Sequence, residues 1–170
     1  MKIDELYESM ITESVSDWYH GSPKKFEKFD LAAERMNRGS NPTGIYLTKN
    51  YDLAKEYAGT NGYIYKVMPM VRKIFIERKT PLDSKIAASY KKALLKYTNY
   101  KSDWIDSTII PEMMDAGRLK NDLDGKVKTE TYAGAGYDGC QFVDMFDVSL
   151  VVFDTKNVKI LGRRSLSEHK

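Results

Sequence analysis

Residues 44–58 decide the fold and read GIYLTKNYDLAKEYA. The first five residues are mostly β-branched or aromatic, which predicts a strand. Asn50 is a favourable helix N-cap and Gly59 a favourable helix stop, so a short helix is predicted between them. A strand end and the helix that follows it can face each other across a cleft. We therefore expect Tyr46 and Tyr57 to line one pocket.

Short apolar and aromatic runs that are typical of strands continue on both sides of that stretch. They cover residues 18–20, 62–67, 74–77, 139–143, 149–154 and 158–161. The last two are expected near the centre of the sheet, because a continuous apolar run is typical of a strand buried on both faces. Helical spacing predicts two further helices at 81–97 and 102–116, with Gly117 ending the second. The polar stretch 119–135 is predicted to be a loop or a weak helix.

The composition is that of one soluble globular domain. Hydrophobic residues make up 42% and charged residues 30% of the 170 residues, and no apolar run approaches the roughly 18 residues that a bilayer span needs. The net charge of +3 comes from lysines scattered among acids, which argues against a nucleic-acid-binding surface. A single cysteine favours a reducing compartment. His20, His169 and Cys140 lack the spacing of a zinc site, so no metal is expected. Because no apolar run is long enough to span a bilayer, no membrane partner is expected either.

A histidine followed by a glycine closes the first predicted strand, in the sequence WYHGS at residues 18–22. An imidazole can bond a hydroxyl group, and a glycine lets a ligand approach the backbone closely. Two aromatic rings can hold a flat ligand between their faces. His20, Gly21, Tyr46 and Tyr57 therefore suit a cleft for a ligand that has both a flat ring and hydroxyl groups.

Taken in order, these motifs resemble the ADP-ribosyltransferases of the His-Tyr-Glu type, the group that includes diphtheria toxin and PARP, and most closely their small phage and mobile-element branch. The resemblance rests on YHGS at 19–22, GIYLTKN at 44–50 with Tyr57, and GYDG at 136–139 with VVFD at 151–154. It covers most of residues 16–163. It implies an α+β fold in which split antiparallel β-sheets form an NAD cleft, with flanking helices and a helical insertion around 82–116, where the match is weakest.

By that resemblance the chain uses NAD as its substrate and needs no metal. Six residues would form the NAD site: His20, Gly21, Ser22, Tyr46, Thr48 and Tyr57. The histidine would bond a ribose, the following glycine would hold the carboxamide, and the two tyrosines would stack on the nicotinamide. For each residue taken alone, ordinary packing in a strand or helix is a sufficient explanation. The order and spacing of the whole set favour the NAD site.

The glutamate expected in such a site is missing. In the family's familiar form it opens the final core strand, where this chain has Ser149. A serine cannot supply the negative charge that stabilises an oxocarbenium-like transition state. Asp144 is the best substitute and Asp147 a close second, so the catalytic set would be His20, Tyr46 and one of these aspartates. Alternatively, the pocket binds NAD or ADP-ribose without turnover, or it acts as an NAD glycohydrolase.

Other chemical motifs in the chain are weaker. GAGYDG at 134–139 matches the dinucleotide-binding pattern, but that motif must follow a strand and open a helix. Here it precedes a predicted strand, so a tight turn is the better interpretation. Gly125-Lys126 lacks the other residues of a phosphate-binding loop. A Cys140–His20 nucleophile pair is disfavoured, because the apolar strand around the cysteine predicts a buried, inert thiol.

Residues 3–11 carry apolar side chains at helical spacing and predict a short amphipathic helix. The ITES sequence at 11–14 resembles a packaging peptide of tailed-phage internal capsid proteins, which a prohead protease cuts after Ile/Leu-x-Glu. We divide the chain into an N-terminal segment at 1–15, a transferase domain at 16–163 and a tail at 164–170. The alternative is an N-terminal helix that simply docks on the domain.

These resemblances together imply a phage-type mono-ADP-ribosyltransferase that transfers ADP-ribose from NAD to a host macromolecule. A capsid-delivered protein would act in the bacterial host cytoplasm, in host takeover or against host defence. A host protein is the expected acceptor. The arginine-directed members of the family carry an acidic pair ahead of the final strand, and Asp147-Val148-Ser149 keeps only half of it. The acceptor residue therefore cannot be identified from the sequence.

Overall fold

The computed structural model describes residues 18–34, 39–120, 122–144 and 147–167. The predicted N-terminal helix and the peptide that resembles a packaging signal lie outside these residues. So does the end of the predicted tail, from residue 168 onward.

Seven strands form one mixed sheet with the spatial order β4-β5-β6-β2-β1-β3-β7. The strands are β1 (Trp18–Ser22), β2 (Ile45–Thr48), β3 (Tyr63–Pro69), β4 (Ile74–Ile76), β5 (Gly139–Asp144), β6 (Asp147–Val152) and β7 (Val158–Ser165). All neighbouring strands are antiparallel except β4 and β5. That pair is parallel because a long helical excursion separates the two strands in sequence, which is the kind of connection that a parallel pair requires. Of the last two strands, β6 is central as predicted, whereas β7 lies at an edge.

The sheet is nearly divided in two between β1 and β2. Between the described residues of these strands one register pair forms, Tyr19 with Thr48. By contrast, β1 pairs with β3 at five positions, and β2 pairs with β6 at four. The predicted α+β fold with a split sheet is therefore confirmed, and the split lies beside the strand that carries His20.

Along the described part of the chain, two short helices lie between β1 and β3, and a larger group of helices lies between β4 and β5. They are α1 (Leu31–Glu34), α2 (Tyr51–Ala58), α3 (Ser84–Tyr97), α4 (Ser102–Trp104), α5 (Ile110–Ala116) and α6 (Gly125–Gly134). A π-helical turn (Ile105–Ile109) joins α4 to α5 in one continuous run. A 3-10 turn (Thr155–Asn157) precedes β7. No helix of the described residues is long and apolar enough to cross a bilayer.

Local capping signals determine where three of these helices begin or end. The Asn50 side chain accepts hydrogen bonds from the backbone N–H groups at the start of α2, and Gly59 ends that helix with a φ of 70°. Gly117 ends α5 in the left-handed conformation, as predicted. The helix predicted from residue 81 begins later, because Asp83 is its N-cap and accepts a hydrogen bond from the N–H of Ile86.

The stretch predicted as a loop or weak helix at 119–135 contains a regular helix, α6. Asp124 is its N-cap, and its first residue, Gly125, lies so close to the carbonyl of Asn41 that a Cβ there would be 1.8 Å from the oxygen. This tertiary contact, which the sequence pattern does not encode, accounts for a glycine at a position where helix propensity disfavours one. The GAGYDG motif ends α6 and turns at Gly136, φ 91°, into β5. It is a turn before a strand, as predicted.

Helices cover one face of the sheet. The main core lies under α3 to α6 and includes Tyr46, Phe75 and Val151. Near the split, α2 packs on the same face through Ala54 and Ala58. The opposite face buries a second apolar cluster, which the segment after β1 covers with aromatic side chains. The split therefore lies where two helical units on one face meet.

Candidate functional site

A small pocket lies at the split between β1 and β2. Its volume is about 10 Å³, and it is lined by Tyr19, His20, Gly21, Tyr46, Leu47, Thr48, Tyr57 and Ser149. Pockets that hold whole drug-sized ligands measure roughly 300–1,000 Å³. In this structure the pocket is therefore a narrow cleft, and a ligand ring could enter it only if its walls moved apart.

Strand register explains why most of these side chains share one face of the sheet, whereas those of His20 and Leu47, at alternate positions, point to the opposite face. Tyr19 is paired with Thr48, and Thr48 with Ser149, and residues directly opposite each other point to the same face of a sheet. Side chains two residues apart along a strand also share a face. Gly21 and Tyr46 therefore join the same face, and Tyr57 approaches it from α2.

His20 bridges the split. Its Nδ1 lies 2.8 Å from the carbonyl oxygen of Tyr46, and because a carbonyl can only accept, Nδ1 carries the proton. In the neutral ring, Nε2 is then the acceptor nitrogen. The side chain is only 3% exposed, and its ring makes edge contacts with Phe26 and Phe29. The imidazole therefore has a defined orientation and tautomer.

Gly21 lets α2 approach β1 closely. A Cβ at this position would lie 1.9 Å from the carbonyl oxygen of Ala54 and 2.9 Å from the backbone nitrogen of Ala58. The sequence indicated a glycine that makes room for a ligand, and the contact found here is with a helix. The close contact brings Tyr57, one residue before Ala58, to the pocket.

The two predicted tyrosines line the pocket from different structural settings. Tyr46 is 5% exposed, its hydroxyl donates to the carbonyl of Pro42, and its ring meets Phe142 edge-on at 5.9 Å. Tyr57 is half-buried on α2. The structure thus brings the two together as one fixed and one more exposed wall. Their stacking on a nicotinamide remains a prediction.

The two predicted hydroxyl residues differ in position. Thr48 is buried in the pocket lining, and its Oγ1 accepts a hydrogen bond of 3.0 Å from the N–H of Asn50. Ser22 is not among the lining residues found. Its hydroxyl donates to the carbonyl of Lys24 and accepts from the N–H of the same residue, so it stabilises the turn after β1.

Ser149 lines the pocket, and the two candidate aspartates lie beyond it, where the end of β5 pairs with the start of β6. Ser149 is 1% exposed. Asp147 lies two residues earlier on the same face of β6, and its backbone pairs with Asp144 on β5. The strand pairing therefore places residues 144 and 147 at the same end of the sheet as the pocket, and Asp147 is not among the lining residues.

Asn50 lies near the site and makes a second contact that the sequence analysis did not predict. It caps α2 through its side-chain oxygen, and its Nδ2 donates a 2.6 Å hydrogen bond to the Asp147 carboxylate. That bond, together with one from the N–H of Val148, lowers the pKa of Asp147 below its ordinary value. The sequence signals the cap but contains no signal for a partner 97 residues away.

No metal-binding cluster of three or more histidine, cysteine or acidic residues occurs within the part of the chain that the structure describes. Cys140 is fully buried in the helical core, and burial raises the pKa of its thiol. This agrees with the inert thiol that the sequence predicts.

Comparison with known proteins assigns the chain to a family. Residues 16–164 match the family model described as ADP-ribosyltransferase in polyvalent proteins. Among solved structures, a protein described as an anti-CRISPR protein superimposes with a TM-score of 0.45 at 14% identity, over 84% of this chain and 93% of that chain. Curated proteins yield no match. The matched range spans the split sheet from β1 into β7.

Proposed function

Because the chain belongs to the ADP-ribosyltransferases of polyvalent proteins, we propose that it is a mono-ADP-ribosyltransferase of the phage type, which transfers ADP-ribose from NAD to a host macromolecule. The observation that carries the proposal is the convergence of His20, Gly21, Tyr46 and Tyr57 on one pocket at the split. Transferases of this superfamily take NAD as the donor of ADP-ribose.

The pocket would hold the nicotinamide ring of NAD. The rigid Tyr46 and the more exposed Tyr57 would offer aromatic faces to a flat ligand once the narrow cleft between them widens. After Tyr19, the backbone of β1 is no longer paired with the described residues of β2. Its groups at Gly21 would hold the carboxamide. Thr48 would support this wall through its contact with the start of α2. Ser22, which turns the chain after β1, would act by positioning the strand.

His20 would bind a ribose hydroxyl of NAD. Its Nδ1 proton is directed to the Tyr46 carbonyl, so Nε2 is the atom to which a hydroxyl can donate. The same hydrogen bond would keep β1 and β2 at a fixed distance while the ligand is bound. One residue would thereby both orient the sugar and hold the two sides of the split together.

The reaction would proceed by departure of nicotinamide before the acceptor is fully bonded. The bond between the nicotinamide nitrogen and ribose C1′ breaks, and its electron pair leaves with nicotinamide. The ribosyl cation that develops is stabilised by a carboxylate, and the acceptor's nucleophile bonds to C1′ and releases a proton. Asp144 and Asp147 are the candidates for this carboxylate. Asp147, whose pKa is lowered below the ordinary value of 3.8, is negatively charged at neutral pH.

The serine at the place of the glutamate supports a second candidate function. Ser149 is buried and uncharged in the pocket, so the chain could bind NAD or ADP-ribose without turnover, or lose ADP-ribose to water as a glycohydrolase. These alternatives share the pocket and differ in the fate of the ribose.

Incubation with NAD labelled separately in nicotinamide and in adenosine distinguishes the three functions. A transferase releases nicotinamide and labels a protein of a bacterial lysate. A glycohydrolase releases nicotinamide together with free ADP-ribose, and a binding module shows a thermal shift with NAD and no release. Asp144→Asn and Asp147→Asn test the carboxylates, and at least one of them should abolish release.

Asp154→Asn is the matched control, because Asp154 is also a partly exposed carboxylate with a lowered pKa but lies beyond the far end of β6. Its release of nicotinamide should equal that of the unsubstituted protein. Full activity in both Asp144→Asn and Asp147→Asn would refute their proposed role. Absence of release, labelling and thermal shift alike would refute the proposal as a whole.

Delivery from a phage capsid to the host cytoplasm is the remaining part of the proposal. It is supported by the likeness of the ITES sequence at 11–14 to a prohead cleavage site. Mass spectrometry of purified virions should find a chain that begins at Ser14. Finding only an intact chain beginning at Met1, and only in infected cells, would contradict this part without affecting the enzymatic proposal.

A further inference from the structure

A second cavity, larger and more polar than the nicotinamide pocket, lies over the β4–β5 side of the sheet. Its volume is about 200 Å³, which is below the roughly 300–1,000 Å³ of pockets that enclose whole drug-sized ligands, so it would hold one group of a ligand. Three cationic side chains line it, from Arg78, Arg118 and Lys128. Among the described lining residues one carboxylate, that of Glu77, accompanies them.

The three cations come from three separate segments of the chain. Arg78 belongs to the turn that follows β4 and adopts a positive φ of 65°, a conformation that favours glycine. Arg118 directly follows the left-handed Gly117 that ends α5. Lys128 lies on α6. Three cationic residues from a turn, a helix end and a helix therefore converge on one cavity, unlike a run of lysines that is spread along an exposed surface.

Lys128 is an unusual residue in this group because it is only 6% exposed. Removing an ammonium group from water is costly, and burial lowers the pKa of Lys128, while the negative charge of Glu77 acts in the opposite direction. With three cations and one carboxylate, the cavity carries an excess of two positive charges. An anion in the cavity would offset this excess.

We propose that this cavity is a binding site for the phosphate group of a nucleotide, separate from the nicotinamide pocket. One guanidinium group can donate two parallel hydrogen bonds to two phosphate oxygens, and an ammonium group attracts the phosphate as a point charge. Phe142 and Val143 also line the cavity, and Val143 is 71% exposed. This apolar side suits an organic phosphate whose base or sugar lies beside the strand.

The position of the cavity separates it from the pocket at the split. The cavity lies beside β5, and the pocket lies between β2 and β1, so β6 and β2 intervene. At about 4.8 Å per strand, the two sites are roughly 10–15 Å apart. The Phe142 ring, in contact with Tyr46, lies between them. Binding in the cavity requires no turnover of NAD, so its test does not depend on the proposed transferase activity.

Isothermal titration with AMP, and with adenosine as the ligand without phosphate, tests the proposal. AMP should bind and adenosine should not. Arg78→Gln and Arg118→Gln should each weaken AMP binding by about tenfold or more, because each removes a charge-assisted hydrogen-bonding group. Both arginines are exposed, so these variants should fold, as melting curves without ligand will verify.

Two control variants locate the site. Arg72→Gln removes an equally exposed arginine that is not among the lining residues and should leave AMP affinity unchanged. Tyr57→Ala alters the nicotinamide pocket and should also leave it unchanged. Equal AMP affinity in the Arg78, Arg118 and unsubstituted proteins would overturn the proposal, and so would loss of AMP binding in Tyr57→Ala.

A 5′-phosphorylated oligonucleotide distinguishes the two sources of a nucleotide phosphate. Binding of AMP together with this oligonucleotide, and not of its unphosphorylated form, identifies the end of a nucleic acid strand as the ligand. Binding of AMP alone identifies a free nucleotide. Both results support a phosphate site, whereas equal binding of both oligonucleotides and no effect of the arginine substitutions would refute it.

Discussion

Replacing Gly21 with alanine should displace α2 and remove one wall of the pocket at the split, which we propose binds nicotinamide. The added Cβ would lie 1.9 Å from the carbonyl oxygen of Ala54, and real Cβ contacts essentially never fall below 3.0 Å. Because the atoms it meets are backbone atoms, no change of side-chain rotamer relieves the clash. The helix must therefore move by roughly 1 Å or more.

The size of the effect follows from the cost of overpacking. Inserting a methyl group into a close contact of this kind costs about 1–3 kcal/mol of folding free energy, and occasionally more. For a domain of this length each kcal/mol lowers the melting temperature by roughly 2–4 °C. We therefore expect Gly21→Ala to melt about 2–12 °C lower. The thermal shift caused by NAD should disappear, because Tyr57 moves with α2.

Urea unfolding followed by circular dichroism measures the first effect, and melting curves with and without NAD measure the second. Gly162→Ala is the matched control, because Gly162 is also a strand glycine but a Cβ there meets nothing within 4 Å. That variant should be as stable as the unsubstituted protein or slightly more stable. Wild-type stability and an intact NAD shift in Gly21→Ala would refute the close packing of α2 on β1 and its role in the pocket.

Three further predictions concern individual polar groups. Since the folded-state pKa of Asp147 is lowered from 3.8, its carboxylate should still be ionised and bonded to Asn50 at pH 3.8 and lose its charge only as the pH falls through the lowered pKa; Asn50→Ala should raise this pKa toward 3.8 in an NMR titration, and an unchanged titration would contradict the assignment. Asp83→Ala removes the N-cap of α3 and should cost about 1 kcal/mol in urea unfolding, whereas no loss would mean that the cap is dispensable. Cys140, buried with a raised pKa, should react with a thiol reagent only after denaturation, and rapid reaction of the folded protein would show that its strand is accessible.

Local signals made much of the fold predictable. Asn50 and Gly59 bracket α2, and Gly117 ends α5, because caps and left-handed glycines act through neighbouring backbone groups. The strands were recognisable from aromatic and β-branched runs. By contrast, α6 is polar and contains glycine at both ends, so its formation depends on packing against distant residues such as Asn41.

The site was predictable as a set of residues more than as a set of contacts. The sequence placed Tyr46 and Tyr57 together, because a strand and the following helix have few ways to pack, and the resemblance to the family added His20. The hydrogen bond from His20 to the Tyr46 carbonyl and that from Asn50 to Asp147 join residues far apart in sequence. Such contacts depend on strand order, which no local pattern contains.

The single register pair between β1 and β2 has a consequence for how sequences of this kind can diverge. At the split, the strand itself faces the space where a ligand would lie, so recognition of an amide group can be carried by main-chain atoms that every residue possesses. Substitutions along β1 could then accumulate with little loss of recognition, provided that the gap stays open and residue 21 stays without a side chain. Relatives with few identical residues would keep the same specificity, and the backbone geometry of the site would diverge more slowly than its amino-acid sequence.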